Sequence, residues 1–305
     1  MLIGGAMPEL HNQLINNDKC DLPWGVEKRL EFIEFRLYWE ERINRSDLRD
    51  VFNISVPQAT ADFNKYQELA PGNMVYDNRG KFYYASADFK PKFMKPSAEQ
   101  YLLRYLAVDM GIYTEKQSYI GDHAPICTVP RPWRRVDHEQ LKEILLAIRD
   151  KKAIEIDYQS LSKNSIRAKR WISPHALGYD GFRWHCRAYC HKSGMFKDFN
   201  LGRIYSIENN KDSDIESQRD EAWHTEFKVR IGPNPNLAES QQDVIKHEYG
   251  MEDGESSIPV KRAMILYLLN KLGLSVEDDE PTHFQQSQHV VLLNRDETKK
   301  AMGKK

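Results

Sequence analysis

Gly181–Ile204 reads GFRWHCRAYCHKSGMFKDFNLGRI, and the rest of the chain is organised around this stretch. From Phe182 to Cys190 it has the alternation of one extended strand, whose successive side chains point to opposite faces. Trp184, Cys186, Ala188 and Cys190 share one side and read as a core face. Arg183, His185, Arg187 and Tyr189 share the other. Two guanidiniums, an imidazole and a phenol in a row are costly to bury. An arginine fork suits phosphate or carboxylate, and Tyr and His stack on nucleobases. The competing reading is the solvated outer face of a half-buried strand.

Working upstream, Ala153–Tyr158 reads as a strand with Ala153, Ile154 and Ile156 apolar, and Tyr158 and Ser160 at its end. A polar, basic loop at Ser162–Lys169 leads to Arg170–His175, then Ala176–Tyr179 and a turn at Asp180-Gly181. Some five short strands suit a small β-barrel. His175 alone reads as a structural histidine; beside Tyr158, Ser160, Arg170, Arg187 and Arg203 it joins a candidate anion site. Cys186, Cys190 and His191 are close in sequence, but cysteines at i and i+4 of a strand lie too far apart for one tetrahedral site. No metal and no resident cofactor is expected.

RWHCRAYC…FKDFNLGRI, with IDYQS upstream and RWISPHAL between, resembles a WYL domain. The Trp-Tyr-Leu triplet stands here as Trp184-His185-Cys186, so two of its three letters differ. The frame of Tyr158, Ser160, Arg170, Pro174, His175, Arg187, Tyr189 and Arg203 carries the resemblance. Such domains are small Sm-like or SH3-like β-barrels that sense ligands in bacterial transcription regulators. The resemblance implies a ligand pocket at Tyr158, Ser160, His175, Arg187 and Arg203. His185 stands where the family has tyrosine.

Toward the N-terminus, Trp24–Glu41 has Val26, Leu30, Ile33 and Leu37 at helical spacing. Ser46–Phe52 makes a short second helix with Leu48, Val51 and Phe52 inward, and Asn53-Ile54 makes a turn. Ser55-Val56-Pro57-Gln58 has the form of a capping box with proline in the first turn. It opens a third helix whose stripe is Ala59, Phe63, Tyr66 and Leu69. Three short helices with a tight turn before the last form a helix-turn-helix pattern. The outer face of the last carries Gln58, Thr60, Ala61, Asn64 and Lys65, and Gln and Asn pair bidentately with adenine. Met74–Tyr76 and Lys81–Tyr84 then read as a hairpin, a wing, with Arg79 and Lys81 placed for phosphate. Ser55, Gln58, Thr60, Asn64, Lys65, Arg79 and Lys81 are the candidate DNA contacts. A helical bundle whose polar face meets only water is the plain alternative.

The connector begins at Pro91 and Pro96. Ser97–Gln100 is a second capping box, opening a helix to about Asp109; Gly111–Val129 reads as irregular, and Pro130-Arg131-Pro132 as a boundary. Asp137–Asp150 is amphipathic, with Leu141, Ile144, Leu145 and Ile148. Beyond the strands, His224–Ile231 reads as a strand, Ala238–Glu248 as a helix, and Val260–Leu272 as an apolar helix ending at Gly273. The last twelve residues, rich in Lys and Glu, read as frayed.

PNPNL…SQQDVIKHEYGM followed by VKRAMILYLLNKLGL resembles the defence-associated subgroup of these regulators typified by BrxR and CapW. The resemblance spans about residues 24–293. It implies a C-terminal dimerisation extension (WCX-like) and repression of phage-defence gene clusters, of the BREX and CBASS kinds. The expected fold is α+β and multidomain: a winged helix-turn-helix at 1–95, a helical connector at 96–129, a WYL barrel at 130–210 and an α/β dimerisation domain at 211–305.

Composition agrees with that division. Of 305 residues, 40% are hydrophobic and 29% charged, enough for two or three domains. No apolar run approaches the ~18–20 residues of a membrane span. The opening MLIGGAMPEL lacks a signal peptide's basic start, and four cysteines without a CxxC pair suggest neither a zinc ribbon nor a disulfide scaffold; cytoplasmic residence is expected. The net charge of −1 hides an asymmetry: residues 130–210 hold 16 Lys/Arg against 9 Asp/Glu, and residues 211–305 hold 13 against 18. The basic middle favours an anionic partner. The expected function is a non-enzymatic, homodimeric repressor that reads an inverted-repeat operator, modulated by a nucleotide or nucleic-acid effector. A nucleic-acid-processing enzyme using His175 and His185, or an RNA-binding protein using the basic barrel alone, are the other readings. No paired carboxylates and no nucleophile–base motif support the enzyme.

Overall fold

The computed structural model describes residues 22–121, 124–129, 132, 134–162, 166–277 and 288–303. Cys20, the opening MLIGGAMPEL, Pro130-Arg131 and the middle of the 162–169 loop lie outside them. The chain forms two units, one ending at Arg131 and the other beginning at Pro132. No helix among the described residues is long and apolar enough to cross a membrane.

In the first unit, α1 (Trp24–Glu40) buries Leu30, Ile33 and Leu37 completely or nearly so and stops at Glu41 in a left-handed conformation, φ 58°. β1 (Arg42–Ile43) follows, a strand that two residues of sequence do not announce. α2 (Arg45–Phe52) starts one residue earlier than expected, because Asn44 and Asp47 form a full reciprocal capping box. α3 (Val56–Leu69) opens on Ser55, whose Oγ accepts the Gln58 amide at 3.3 Å. The expected return bond from Gln58 is absent, because its side chain donates to Asp62 instead. β2 (Met74–Asp77) and β3 (Phe82–Ala85) make the hairpin, and β1 pairs with β3 to give the order β1-β3-β2. Asp77 ties the turn by accepting the amides of Arg79 and Gly80. A Cβ on Gly80 would stand 2.8 Å from Asp77 Oδ2, so any larger residue there would have to displace the Asp77 carboxylate that ties the turn.

The core gathers Leu30, Phe32, Ile33, Leu37, Ile43, Leu48, Ala59, Phe63 and Tyr66; Leu69, expected in the buried stripe, is only half-buried. α1 is covered on a second side too. There, α4 (Ala98–Asp109) packs Tyr105 with Phe35 and Ile120, and a short α5 (Glu115–Ser118) interrupts the stretch expected to be irregular. Glu34 of α1 is fully buried. Its carboxylate accepts the amides of Lys92 (2.7 Å), Phe93 (2.6 Å) and Met94 (2.8 Å) and the Tyr66 hydroxyl (3.1 Å).

The second unit starts with α6 (His138–Arg149), which lays Ile144 and Ala147 on a five-stranded antiparallel sheet. Its strands are β4 (Lys152–Tyr158), β5 (Ala168–Tyr179), β6 (Trp184–Cys190), β7 (Met195–Asn200) and β8 (Ile204–Asp212), in the order β7-β6-β5-β4-β8. No ladder joins β7 to β8 among the described residues, so the module is a sheet with two edges rather than the expected closed barrel. The two segments expected at 170–175 and 176–179 are one strand with a bulge. Pro174 pairs with Ala188 and Ala176 with Arg187, which leaves His175 as the extra residue.

β6 departs from a simple inside–outside strand. Cys186, Ala188 and Cys190 are buried as expected, but Trp184 is 48% exposed at the strand's start. On the other face His185 and Arg187 are buried, because the C-terminal elements cover them. Those elements are α7 (Glu221–His224), β9 (Glu226–Pro233), α8 (Glu239–Glu248), β10 (Ser256–Lys261), α9 (Ile265–Leu272), β11 (Val290–Leu292) and α10 (Arg295–Ala301). β9 is central, flanked by β10 and β11. Val260, expected on a helix, pairs with Phe227 on β10, and the helix begins five residues later. His224, expected on a strand, closes α7. The tail expected to fray forms α10, with Thr298 completely buried and its hydroxyl on the Asn294 carbonyl at 2.8 Å.

Candidate nucleic-acid interface and effector site

α3 owes its outer face to its own stripe: with Ala59, Phe63 and Tyr66 turned inward, Gln58, Ala61 and Asn64 are exposed and Thr60 and Lys65 half-exposed. The Asn64 side chain makes no hydrogen bond to the described residues. Thr60 Oγ1 donates to the Val56 carbonyl at 3.0 Å. Lys65 pairs with Glu68 at 3.1 Å on the surface, a contact weak enough to exchange for a phosphate. Ser55 is exposed at the cap, and Arg79 and Lys81 are exposed on the hairpin turn, Lys81 in the left-handed region at φ 62°. Asp62 on the inner edge of α3 is 2% exposed and holds Arg29 of α1 through Nε at 2.7 Å and Nη2 at 3.1 Å. Gln58 Nε2 adds a third bond to the same carboxylate at 3.0 Å. The helix is thereby fastened to α1 at the end that carries its candidate base readers.

The expected effector residues divide into groups. Arg187 and His175 meet around one carboxylate. Arg187 Nε and Nη2 donate to Asp220 at 2.7 and 2.9 Å, Nη1 to Asp198 at 3.2 Å, and His175 Nε2 lies 3.0 Å from Asp220. Asp198 also accepts the Tyr267 hydroxyl of α9 at 3.1 Å. Arg183 and His185 meet at Asp180 instead, at 3.2 and 2.9 Å, and the His185 ring lies 4.9 Å from that of Tyr267. Tyr189 packs edge-on to Phe196 and His191. Tyr158 is buried, its hydroxyl accepting the Asn200 amide, with the Arg170 guanidinium 5.3 Å from its ring. Ser160 bonds Ser162, and the Arg203 carbonyl accepts the Gln159 amide. These contacts of Tyr158, Ser160 and Arg170 are with residues other than Asp220, the carboxylate that joins Arg187 and His175.

Asp180, Asp198, Asp220 and Tyr267 are the members that sequence reasoning missed. Asp180 reads from sequence only as part of a turn, and Asp198 lies in the FKDFN stretch with no role assigned; Asp220 and Tyr267 lie 33 and 80 positions beyond Arg187, with no local signal. Arg167 pairs with Asp157, Lys169 with Glu208 and Lys152 with Asp212; Asp157 and Glu208 already stand in the region's charge count, so its positive excess persists. Burial pushes the Cys186 thiol up to about 12, which leaves it an inert core residue. Among the described residues, no three His, Cys, Asp or Glu side chains are placed to hold a metal ion.

Burial alone would raise the pKa of Asp220, but the Arg187 hydrogen bond and charge, then His175, hold it below the ordinary carboxylate value. Burial lowers His175 against the pull of Asp220, so its ring is neutral at pH 7 and donates Nε2–H. Asp180 is drawn down to about 2: burial opposes, but the His185 bond and the amides of Phe182 and Arg183 prevail. A depressed carboxylate contributes stability that is complete above its unfolded value of 3.8 and lost as pH falls toward 2, here about 2 kcal/mol. Urea midpoints between pH 5 and 3 should therefore fall more steeply for the wild type than for Asp180→Asn. Parallel curves would refute the assignment.

Residues 25–106 match the BrxR transcriptional regulator winged helix-turn-helix domain, residues 139–209 the WYL domain, and residues 226–298 the BrxR transcriptional regulator C-terminal dimerization domain. The DNA-binding transcriptional repressor CapW of Pseudomonas aeruginosa is 41% identical over 276 residues, 90% of this chain and 91% of that protein. CapW of Stenotrophomonas maltophilia is 39% identical over 281 residues, 92% and 93% of the two chains. CapW of Escherichia coli strain KTE188 is 39% identical over 274 residues, 90% and 91%. The solved structure of proteasome accessory factor B/C of Arthrobacter aurescens, 15% identical, aligns with 95% of this chain and 50% of that one at a TM-score of 0.24, too low to carry an argument. With three modules matched in order and these relatives aligned along nearly its whole length, the chain belongs to the BrxR/CapW family of WYL-domain transcriptional regulators.

Proposed function

We propose that the chain is a homodimeric, sequence-specific DNA-binding repressor of a phage-defence gene cluster, acting in the cytoplasm and tuned by a nucleotide or nucleic-acid effector at its WYL module. The observation that carries the reading is the exposed α3 face. Asn64 and Gln58 have the amide geometry to read adenine, Lys65 lies beside them, and Arg79 and Lys81 stand on the wing for backbone phosphate. The match to a dimerization domain supports a two-fold dimer, and such a dimer reads an inverted repeat. The effector acts by binding better to a dimer geometry that fits the operator less well; equal affinity for both geometries would shift nothing.

The test is fluorescence anisotropy with the DNA upstream of the protein's own gene, titrated with salt and competitor. Tight binding at one inverted repeat, falling steeply with salt, is expected; weak binding to any duplex alike would sink the reading. Asn64→Ala is expected to cost about 1–3 kcal/mol of operator affinity and to relax preference at one base pair. Unchanged affinity would show that Asn64 is not a base reader.

A further inference from the structure

Arg187 offers a fork of five N–H donors, and the chain itself takes three of them, one on each nitrogen. Asp220 holds Nε and Nη2, Asp198 holds Nη1, and Asp220 also faces His175 Nε2. The two residues best suited to hold an anion thus share an internal one, whose paired oxygens meet the guanidinium as a phosphate's would. Asp220 is not part of the sheet. It caps α7, where the Trp223 amide also donates to it, in the segment between β8 and β9. Asp198 carries the connection on to α9 through Tyr267. The cluster fastens the sheet to the C-terminal elements.

Beside His175 lies a cavity of about 100 Å³, bordered by Lys151, Lys152, Ser173, Ser213 and a single acidic side chain, Glu216. That is room for roughly three waters, enough for a tetrahedral oxyanion and too little for a nucleoside. Its hydroxyls are gathered: Ser173 Oγ lies 2.6 Å from Ser213 Oγ and 2.8 Å from His191 Nε2.

We propose that Asp220 is a resident anion standing in the effector's place. A phosphate group entering the cavity takes His175, which lines it, from Asp220; Arg187, which does not line it, then turns from Asp220 to the same phosphate, and residues 217–224 are released from the sheet. This rests on the effector reading above and adds the competitor and the segment that moves. Effector and Asp220 cannot both occupy Arg187, and that exclusion supplies the difference in affinity between two states which any switch requires.

The full-length protein is titrated with a fluorescein-labelled mixed-sequence hexanucleotide, with nucleoside 5′-monophosphates and inorganic phosphate as competing arms. Competition by the mononucleotides places the phosphate on a mononucleotide; its failure places it on an oligonucleotide. Asp220→Asn keeps the shape and the cap but removes the charge, and is expected to bind at least about tenfold tighter than wild type. Equal affinity in both proteins keeps the effector reading and overturns the competition. No binding to either protein by any probe overturns both. A second readout uses the wild type alone: exchange of the Trp223, His224 and Thr225 amides, bonded to the Asp220 and Glu221 carbonyls, accelerates at saturating ligand. Unchanged or slowed exchange overturns the displacement.

Discussion

Replacing Arg187 with alanine is expected to lower the stability of the unit beginning at Pro132 by about 3–5 kcal/mol. The side chain is 9% exposed and its main partner Asp220 2%. Without it, Asp220 keeps His175 and the Trp223 amide, and Asp198 keeps Tyr267, but neither keeps a cation. An uncompensated buried carboxylate is the costly outcome, more so than replacing a whole pair by neutral groups. The urea midpoint should fall with the slope unchanged, and Arg187→Met combined with Asp220→Asn should recover part of the loss. A loss below about 1 kcal/mol would mean the pair behaves as a solvated one. Lost effector response in Arg187→Ala therefore says little about ligand contact, and Asp220→Asn is the cleaner probe.

Glu34→Ala is expected to destabilise the winged-helix unit by a similar amount, about 3–5 kcal/mol. Glu34 is the shared acceptor for three successive amides and the Tyr66 hydroxyl, and Tyr66 in turn accepts from Asn73, which bonds both backbone groups of Lys90. The network straps residues 90–94 to α1 and α3. Alanine leaves the N–H groups of Lys92, Phe93 and Met94 without their acceptor, and glutamine turns a donor toward one pair of them. Since whole domains are stable by ~5–15 kcal/mol, operator binding at 37 °C should fall with the folded fraction. Fluorescence of Trp24 and Trp39 during unfolding reports this unit. A glutamine variant as stable as wild type would refute the strap.

What was legible in the sequence was local. Caps at Ser55 and Ser97 and the stripe of Ala59, Phe63 and Tyr66 place helices within a residue or two, because capping and periodicity act over one or two turns. Alternation along Phe182–Cys190 correctly separates Cys186, Ala188 and Cys190 from His185 and Arg187. It fails on the fate of the second face, since nothing within the strand says that Asp220 and Tyr267 return to cover it. The bulge that frees His175 is likewise invisible, depending on register against β6. At Val260 an apolar run fits helix or strand, and pairing with β9 decides. In α10 charged residues mask the buried Thr298, because a single anchoring hydroxyl leaves no period to read.

The bond between Gln58 and Asp62 bears on how this helix would discriminate among sequences. In the unbound chain the Gln58 amide nitrogen already has a good acceptor, so reading a base exchanges one hydrogen bond for another. The exchange is nearly neutral at the right base and leaves Gln58 satisfied, facing Asp62, at the wrong one. On the proposed reading, Gln58 is a tolerant position, forgiving of mismatches. Asn64, with no internal partner to return to, is a strict one. Drift in the operator should accumulate opposite Gln58 and be purged opposite Asn64.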